Sequence, residues 1–208
     1  MLKINNLSKS FHHHLVLDDC CLEIEKGDLI YIHGINGSGK STLFKLICHI
    51  LEADQGTIDM SDDVHIGALI ENPGFLENET LQYNLKFLAS LKDHYDKEKI
   101  EKLCQQFQLD FHSRMKLKNY SLGMRQKAGI IQAIMEDQNF ILLDEPTRGL
   151  DQESIQIFIQ LINEYHQQGK TIIIAAHDYL QDIHYNKTYQ LENGKLQQDE
   201  TYQGSSSL

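Results

Sequence analysis

The chain has 208 residues, enough for one sizeable core with a small subdomain attached. Its 19 lysines and arginines face 30 aspartates and glutamates, a net charge of −11 with no basic run, which argues against a nucleic-acid partner. No segment approaches the roughly 20 apolar residues that span a bilayer, and "MLKINNLSKSF" lacks the apolar stretch of a signal peptide. A membrane role therefore requires a partner. Cys20, Cys21, Cys48 and Cys104 form no CxxC pair and no zinc spacing, a pattern that suits a reduced cytosol.

In chain order, "KINNLSKSF" and "LVLDDCCLEIEKGDLIYIHG" carry strand patterns, with a hairpin expected at "KGD". The triplet His12 to His14 reads as a solvated turn, because neighbours on a strand alternate faces and do not converge on one ion. Next, "YIHGINGSGKSTLFKLICHIL" reads as strand, glycine-rich loop and helix, with Leu43, Phe44, Ile47, Ile50 and Leu51 at helical spacing. "GTIDM" and "VHIGALIE" return to strand. From about 73 to 136, "LQYNLKFLASL", "KEKIEKLCQQF" and "SLGMRQKAGIIQAIM" are three amphipathic helices, read as a helical subdomain inserted into a single domain over 1–208. "NFILLDE" and "TIIIAAHD" are buried strands of a parallel sheet, on either side of a helix marked by Ile155, Phe158, Ile159, Ile162 and Tyr165. "KTYQLENGKLQQ" predicts a hairpin at Asn193-Gly194, and the "GSSSL" tail reads as frayed.

Two stretches carry chemistry. "GINGSGKS" matches GxxxxGK[ST] between a strand and a helix, so Gly34, Ile35, Asn36, Gly37, Ser38, Gly39, Lys40, Ser41 and the adjoining Thr42 form a candidate phosphate-binding loop. Its glycines let the backbone N–H groups curl toward phosphates, and the helix adds the positive end of its dipole. Lys40 is expected at the β- and γ-phosphates and the Ser41 hydroxyl on Mg²⁺. "FILLDEP" brings Asp144 to the polar end of a strand as a second support for the metal, and Glu145 beside it to orient or deprotonate an attacking water.

Taken with the phosphate loop, "YSLGMRQKAG", "LLDEPTRGLD" and "IIIAAHD" in that order resemble the ATP-binding subunit of an ABC transporter over nearly the whole chain. The resemblance implies an α/β fold: a P-loop NTPase parallel-sheet core, an N-terminal antiparallel β subdomain and the inserted helical subdomain. It implies Mg²⁺ and ATP, and a dimer, of two copies or of paired ATPase subunits, with each ATP between the phosphate loop of one subunit and the signature motif of the other. Ser121 and Gly123 match the signature residues, His177 the switch histidine at the γ-phosphate, and Phe11 an aromatic ring on adenine. Asp151 matches the loop between the two ATP sites and reads equally well as a helix N-cap.

Two departures mark the chain. Where the family has LSGGQ, Tyr120, Ser121, Leu122, Gly123 and Met124 stand, with one glycine and the glutamine gone. Where the family has a glutamine that senses Mg²⁺ and water, this chain has Glu71, whose full charge favours a metal and penalises an empty site crowded by Asp144 and Glu145. Glutamate there, with "SLGMRQ" downstream, resembles the branch that exports lantibiotics, bacteriocins and similar peptides.

The resulting expectation is a cytoplasmic ATPase subunit, peripheral on the inner face of the membrane, that drives a separate permease in peptide export. Its docking surface is sought at Phe75, Leu76, Tyr83 and Phe87, with Leu81, Leu85 and Leu88 left for the subdomain core. A soluble ABC-type ATPase acting as a mechanical module is the alternative; the absence of coiled-coil or basic insertions speaks against it. An ATP sensor without turnover is opposed by Lys40, Asp144 and Glu145 together.

Overall fold

A computed structural model describes residues 1–91 and 95–200; the "GSSSL" tail lies outside the described residues. The chain opens with strands β1 (Leu2–Phe11) and β2 (His14–Ile24), an antiparallel hairpin that turns at His12 and His13, both exposed and both with φ above zero (47° and 67°). Strand β3 (Leu29–His33) leads through the glycine-rich loop into helix α1 (Lys40–Ile47), and β4 (Gln55–Met60) returns to pair with β1. After β5 (Ile66–Leu69) come helices α2 (Leu81–Ser90), α3 (Lys97–Gln106) and α4 (Leu122–Ile134), then β6 (Phe140–Asp144), α5 (Gln152–Gln167), β7 (Thr171–Ala175) and the hairpin β8 (Lys187–Glu192) to β9 (Lys195–Gln198).

Among the described residues two sheets result, a small one ordered β2-β1-β4 and a six-stranded one ordered β5-β6-β7-β3-β8-β9, parallel except for the β8–β9 hairpin. That hairpin turns at Asn193-Gly194, both with positive φ, as the sequence predicts. The "KGD" hairpin is corrected. Lys26 and Gly27 do make a turn, but β2 belongs to the small sheet and β3 to the large one, so the turn carries the chain between sheets.

The central strands read as continuous apolar runs because both their faces are covered. Alternation divides each strand between two cores. Leu29, Tyr31, Ile141, Leu143, Ile172 and Ile174 pack with the helices α2 to α5, whereas Ile30, Ile32, Phe140, Leu142, Ile173 and Ala175 pack with α1 and the small sheet. Asp144 shares the parity of Phe140 and Leu142 and so faces the α1 side.

Helix α1 is shorter than its apolar spacing predicts. It closes with His49 in the left-handed region (φ 55°), the His49 N–H bonding the Leu46 carbonyl and the Ile50 N–H bonding the Lys45 carbonyl, the paired bonds of a Schellman cap. Ile50 falls beyond the cap and is 64% exposed. In α2, Leu81 and Leu85 are fully buried and Leu88 is half-buried.

Candidate active site

Parallel pairing delivers the C-terminal ends of β5, β6, β7 and β3 to one edge of the sheet, and the candidate residues gather there. The loop after β3 needs its first glycine for lack of space. A Cβ on Gly34 would lie 2.3 Å from the Leu191 carbonyl oxygen and 2.7 Å from Ser38 Oγ. Gly39, at φ 109°, is the residue before α1 and brings no side-chain cap, which leaves the N–H groups of the first turn open to an anion.

Lys40 is 5% exposed and reaches back across this loop, its ammonium donating to the carbonyls of Gly34 (2.7 Å) and Ile35 (3.3 Å). Ser41 Oγ donates to Asp144 Oδ2 at 2.5 Å, which joins the start of α1 to the end of β6. Burial raises the Asp144 carboxyl above its usual range, opposed by the Ser41 hydrogen bond, the Lys40 charge and the Glu71 backbone. Ser38 Oγ is buried without a hydrogen-bond partner among the described residues.

Glu145 is held by its main chain in a left-handed conformation (φ 47°). Its N–H donates to the Ala175 carbonyl at 2.7 Å, and the Gln126 amide donates to the carbonyls of Glu145 (2.9 Å) and Pro146 (3.0 Å). Its carboxylate is aimed by two groups. Oε1 lies 3.9 Å from Lys40 Nζ, and Oε2 accepts the His177 backbone N–H at 3.4 Å.

Gly39, Lys40, Ser41, Gln126, Asp144 and Glu145 border a cleft of about 500 Å³, within the usual range for a small-molecule site, lined also by Asn36, Gly37, Thr42 and Glu71. Glu71, at φ 54°, turns its carboxylate to Lys45 Nζ at 2.6 Å. Phe11 is 39% exposed under Lys9, and Val16 rather than Phe11 lines the cleft. His177 borders an adjoining depression with Gly34 and Ile35, its ring exposed and 3.3 Å from Asp178.

Ser121 caps α4, accepting the Met124 N–H at 3.2 Å, and Gly123 is closely approached by the Gly149 carbonyl, which a Cβ would meet at 2.6 Å. Leu122 and Gln126, but neither Ser121 nor Gly123, line this chain's own cleft. Asp151 caps α5 through Ser154 (2.8 Å to N–H, 2.6 Å to hydroxyl). Sequence reasoning missed Gln126, Lys45 and Val16. Gln126 left a legible signal, a polar residue on the apolar face of α4 and only 7% exposed.

The phosphate loop, the carboxylates beside it and the parallel sheet that assembles them define a nucleotide-binding ATPase cassette. The ABC transporter family profile matches residues 17–148, and the chain belongs to that family. It is 30% identical to the lantibiotic transport ATP-binding protein SrtF of Streptococcus pyogenes, over 100% of this chain and 94% of that one. It is 32% identical to the bacitracin transport ATP-binding protein BcrA of Enterococcus faecalis, over 85% of this chain and 61% of that protein. Among solved structures, the ATP-binding cassette MJ0796, in a dimeric post-hydrolysis state bound to ADP and Pi, superposes with a TM-score of 0.85 at 21% identity over 97% of this chain and 99% of that one. An ATP-binding subunit of an ABC transporter gives 0.81 at 25% identity over 94% and 88%. The expected family and fold are both borne out. No helix among the described residues is long and apolar enough to cross a membrane.

Proposed function

We propose that the chain hydrolyses Mg·ATP between two ATPase subunits and uses the closure to drive a separate permease, which holds it against the inner face of the membrane. The observation that carries this reading is the 2.5 Å contact between Ser41 Oγ and Asp144 Oδ2. A hydroxyl and a carboxylate converging beside a phosphate loop are the hard oxygen donors that suit Mg²⁺ shared with phosphates and water. The open first turn of α1 fits the phosphates themselves.

The metal, when bound, neutralises developing phosphate charge. Lys40 then exchanges the Gly34 and Ile35 carbonyls for phosphate oxygens, and Glu145 orients and deprotonates the attacking water. His177 stands at the γ-phosphate, and Ser121 and Gly123 serve the ATP of the partner subunit. Glu71 leaves Lys45 to support the metal. Phe11 is assigned to the adenine side, with Val16 closing that end of the cleft.

Peptide export is the favoured task, supported by Glu71, by the "SLGMRQ" signature and by the similarity to SrtF and BcrA, ATP-binding proteins of lantibiotic and bacitracin transport. The permease contact is placed at Tyr83 and Phe87, stacked at 6.5 Å and half-exposed, with Leu76 near them in sequence. Arg125 of α4 grips Glu77 in this segment with two hydrogen bonds, at 2.5 and 2.7 Å, linking docking to the signature helix.

Two measurements test the reading. The purified chain should release phosphate from ATP only with Mg²⁺ and lose this in Lys40→Ala, and a tagged chain from its native membrane should retain an integral membrane protein. Metal-independent release, or a chain recovered with no membrane partner, would contradict it.

A further inference from the structure

Tyr31 sits on β3, the strand that feeds the phosphate loop, and its side chain is fully buried on the face away from α1. It packs among Tyr179 (ring centroids 5.2 Å apart, edge on), Tyr185 (5.1 Å) and the stacked His33 (5.9 Å). Its register partners on the adjacent strands are Ile174 of β7 and Thr188 of β8, and a ring could pack at this position without a hydroxyl.

The hydroxyl nevertheless has partners. It points its proton between the Ala176 carbonyl oxygen at 3.1 Å and the His177 carbonyl oxygen at 3.3 Å. Strand β7 ends at Ala175, and the chain there leaves the regular ladder. The peptide between Ala176 and His177 is therefore fixed from two sides. Its carbonyl accepts from Tyr31, and its N–H donates to Glu145 Oε2 at 3.4 Å.

One peptide plane thus connects a buried hydroxyl to the carboxylate assigned to the attacking water. Hydrogen bonds in such a chain polarise one another, and a peptide held at its oxygen presents its N–H in one direction.

We propose that Tyr31 is a positioning residue for hydrolysis, acting through the Ala176–His177 peptide to orient the Glu145 carboxylate and to seat His177. The proposal rests on the reading of Glu145 as general base. Tyr31 touches no reacting atom. Loss of its hydroxyl frees the peptide to rotate, which withdraws the N–H from Oε2 and moves the histidine with it.

The test compares Tyr31→Phe, Tyr185→Phe, Glu145→Gln and the double variant Tyr31→Phe/Glu145→Gln in steady-state phosphate release, nucleotide binding and thermal melting. Tyr185 is the matched control, since its hydroxyl belongs to the same ring cluster and has no hydrogen-bond partner among the described residues. Tyr31→Phe is expected to lower kcat roughly tenfold, as loss of an outer orienting contact does, with KM and ATP binding unchanged. Tyr185→Phe should keep wild-type kcat, and Tyr31→Phe should leave ATP binding unchanged in the Glu145→Gln background as well.

The His177 backbone amide should also exchange faster with solvent in Tyr31→Phe. A normal kcat in Tyr31→Phe with Glu145→Gln inactive would overturn the positioning role and leave the base assignment standing. Equal losses in Tyr31→Phe and Tyr185→Phe would assign the effect to packing and overturn it as well. Full turnover by Glu145→Gln would remove the base reading and this proposal with it.

Discussion

The Glu71 carboxylate lies 2.6 Å from the Lys45 ammonium on α1, so this acid is held by a cation of its own chain. Both side chains are partly exposed, at 28% for Lys45 and 56% for Glu71. An exposed pair of this kind is worth about 0.2–1 kcal/mol, which a metal can readily outcompete.

Lys45→Met should therefore lower the Mg²⁺ concentration for half-maximal ATPase rate, by no more than about fivefold given that range. Glu71→Ala should raise it and reduce the rate, with little loss of nucleotide binding, and Glu71→Gln should be milder. A Mg²⁺ titration of the three variants checks this; identical midpoints in all of them would remove Glu71 from the metal site.

The docking residues separate by burial. Phe75, read from the sequence as a surface anchor, is only 8% exposed and belongs to the core under the helices, while Tyr83 and Phe87 are 50% and 45% exposed. Phe75→Ala should destabilise the isolated subunit by roughly 3 kcal/mol through loss of a buried ring. Tyr83→Ser should leave the melting temperature near wild type and weaken permease association and its stimulation of ATPase activity. Melting curves and pull-downs on both variants decide it; full stimulation in Tyr83→Ser would move the docking site elsewhere.

Asp144 links function to stability with an unusual sign. Its folded pKa is raised by burial, so its charged form costs stability at neutral pH, and that cost disappears as pH falls through the folded pKa toward the unfolded value. Asp144→Asn should therefore raise the melting temperature of the nucleotide-free protein near pH 7, and the two curves should converge toward about pH 4. Mg·ATP should stabilise the wild type but not the variant. A variant that melts lower at neutral pH would show the carboxylate to be a net stabilising charge.

Most of the fold was legible because the signals are local. Apolar runs marked β3, β6 and β7, and GxxxxGKS fixed where the loop must turn. The proximity of Ser41 and Asp144, 103 positions apart, was readable only through the motifs and not through any periodicity. Sheet membership is non-local, which is why a turn at Lys26-Gly27 looked like a hairpin. Phe75 was misread because "NPGFLENET" has no period to assign a face; burial there follows from a tight turn in which the Phe75 N–H bonds the Pro73 carbonyl, and from Asn84 holding Leu76. Ile50 kept the helical spacing, but a left-handed cap on a histidine had no sequence signature comparable to glycine.

The most direct test of the account is the mass of Glu145→Gln in solution with Mg·ATP. With the carboxylate gone, ATP binding should persist while turnover is lost, so the variant should accumulate as a nucleotide-bound dimer in sedimentation or light scattering and return to monomer when ATP is removed. A variant that stays monomeric, or that hydrolyses ATP at the wild-type rate, would contradict the assignment of Glu145 and the closed dimer built on it.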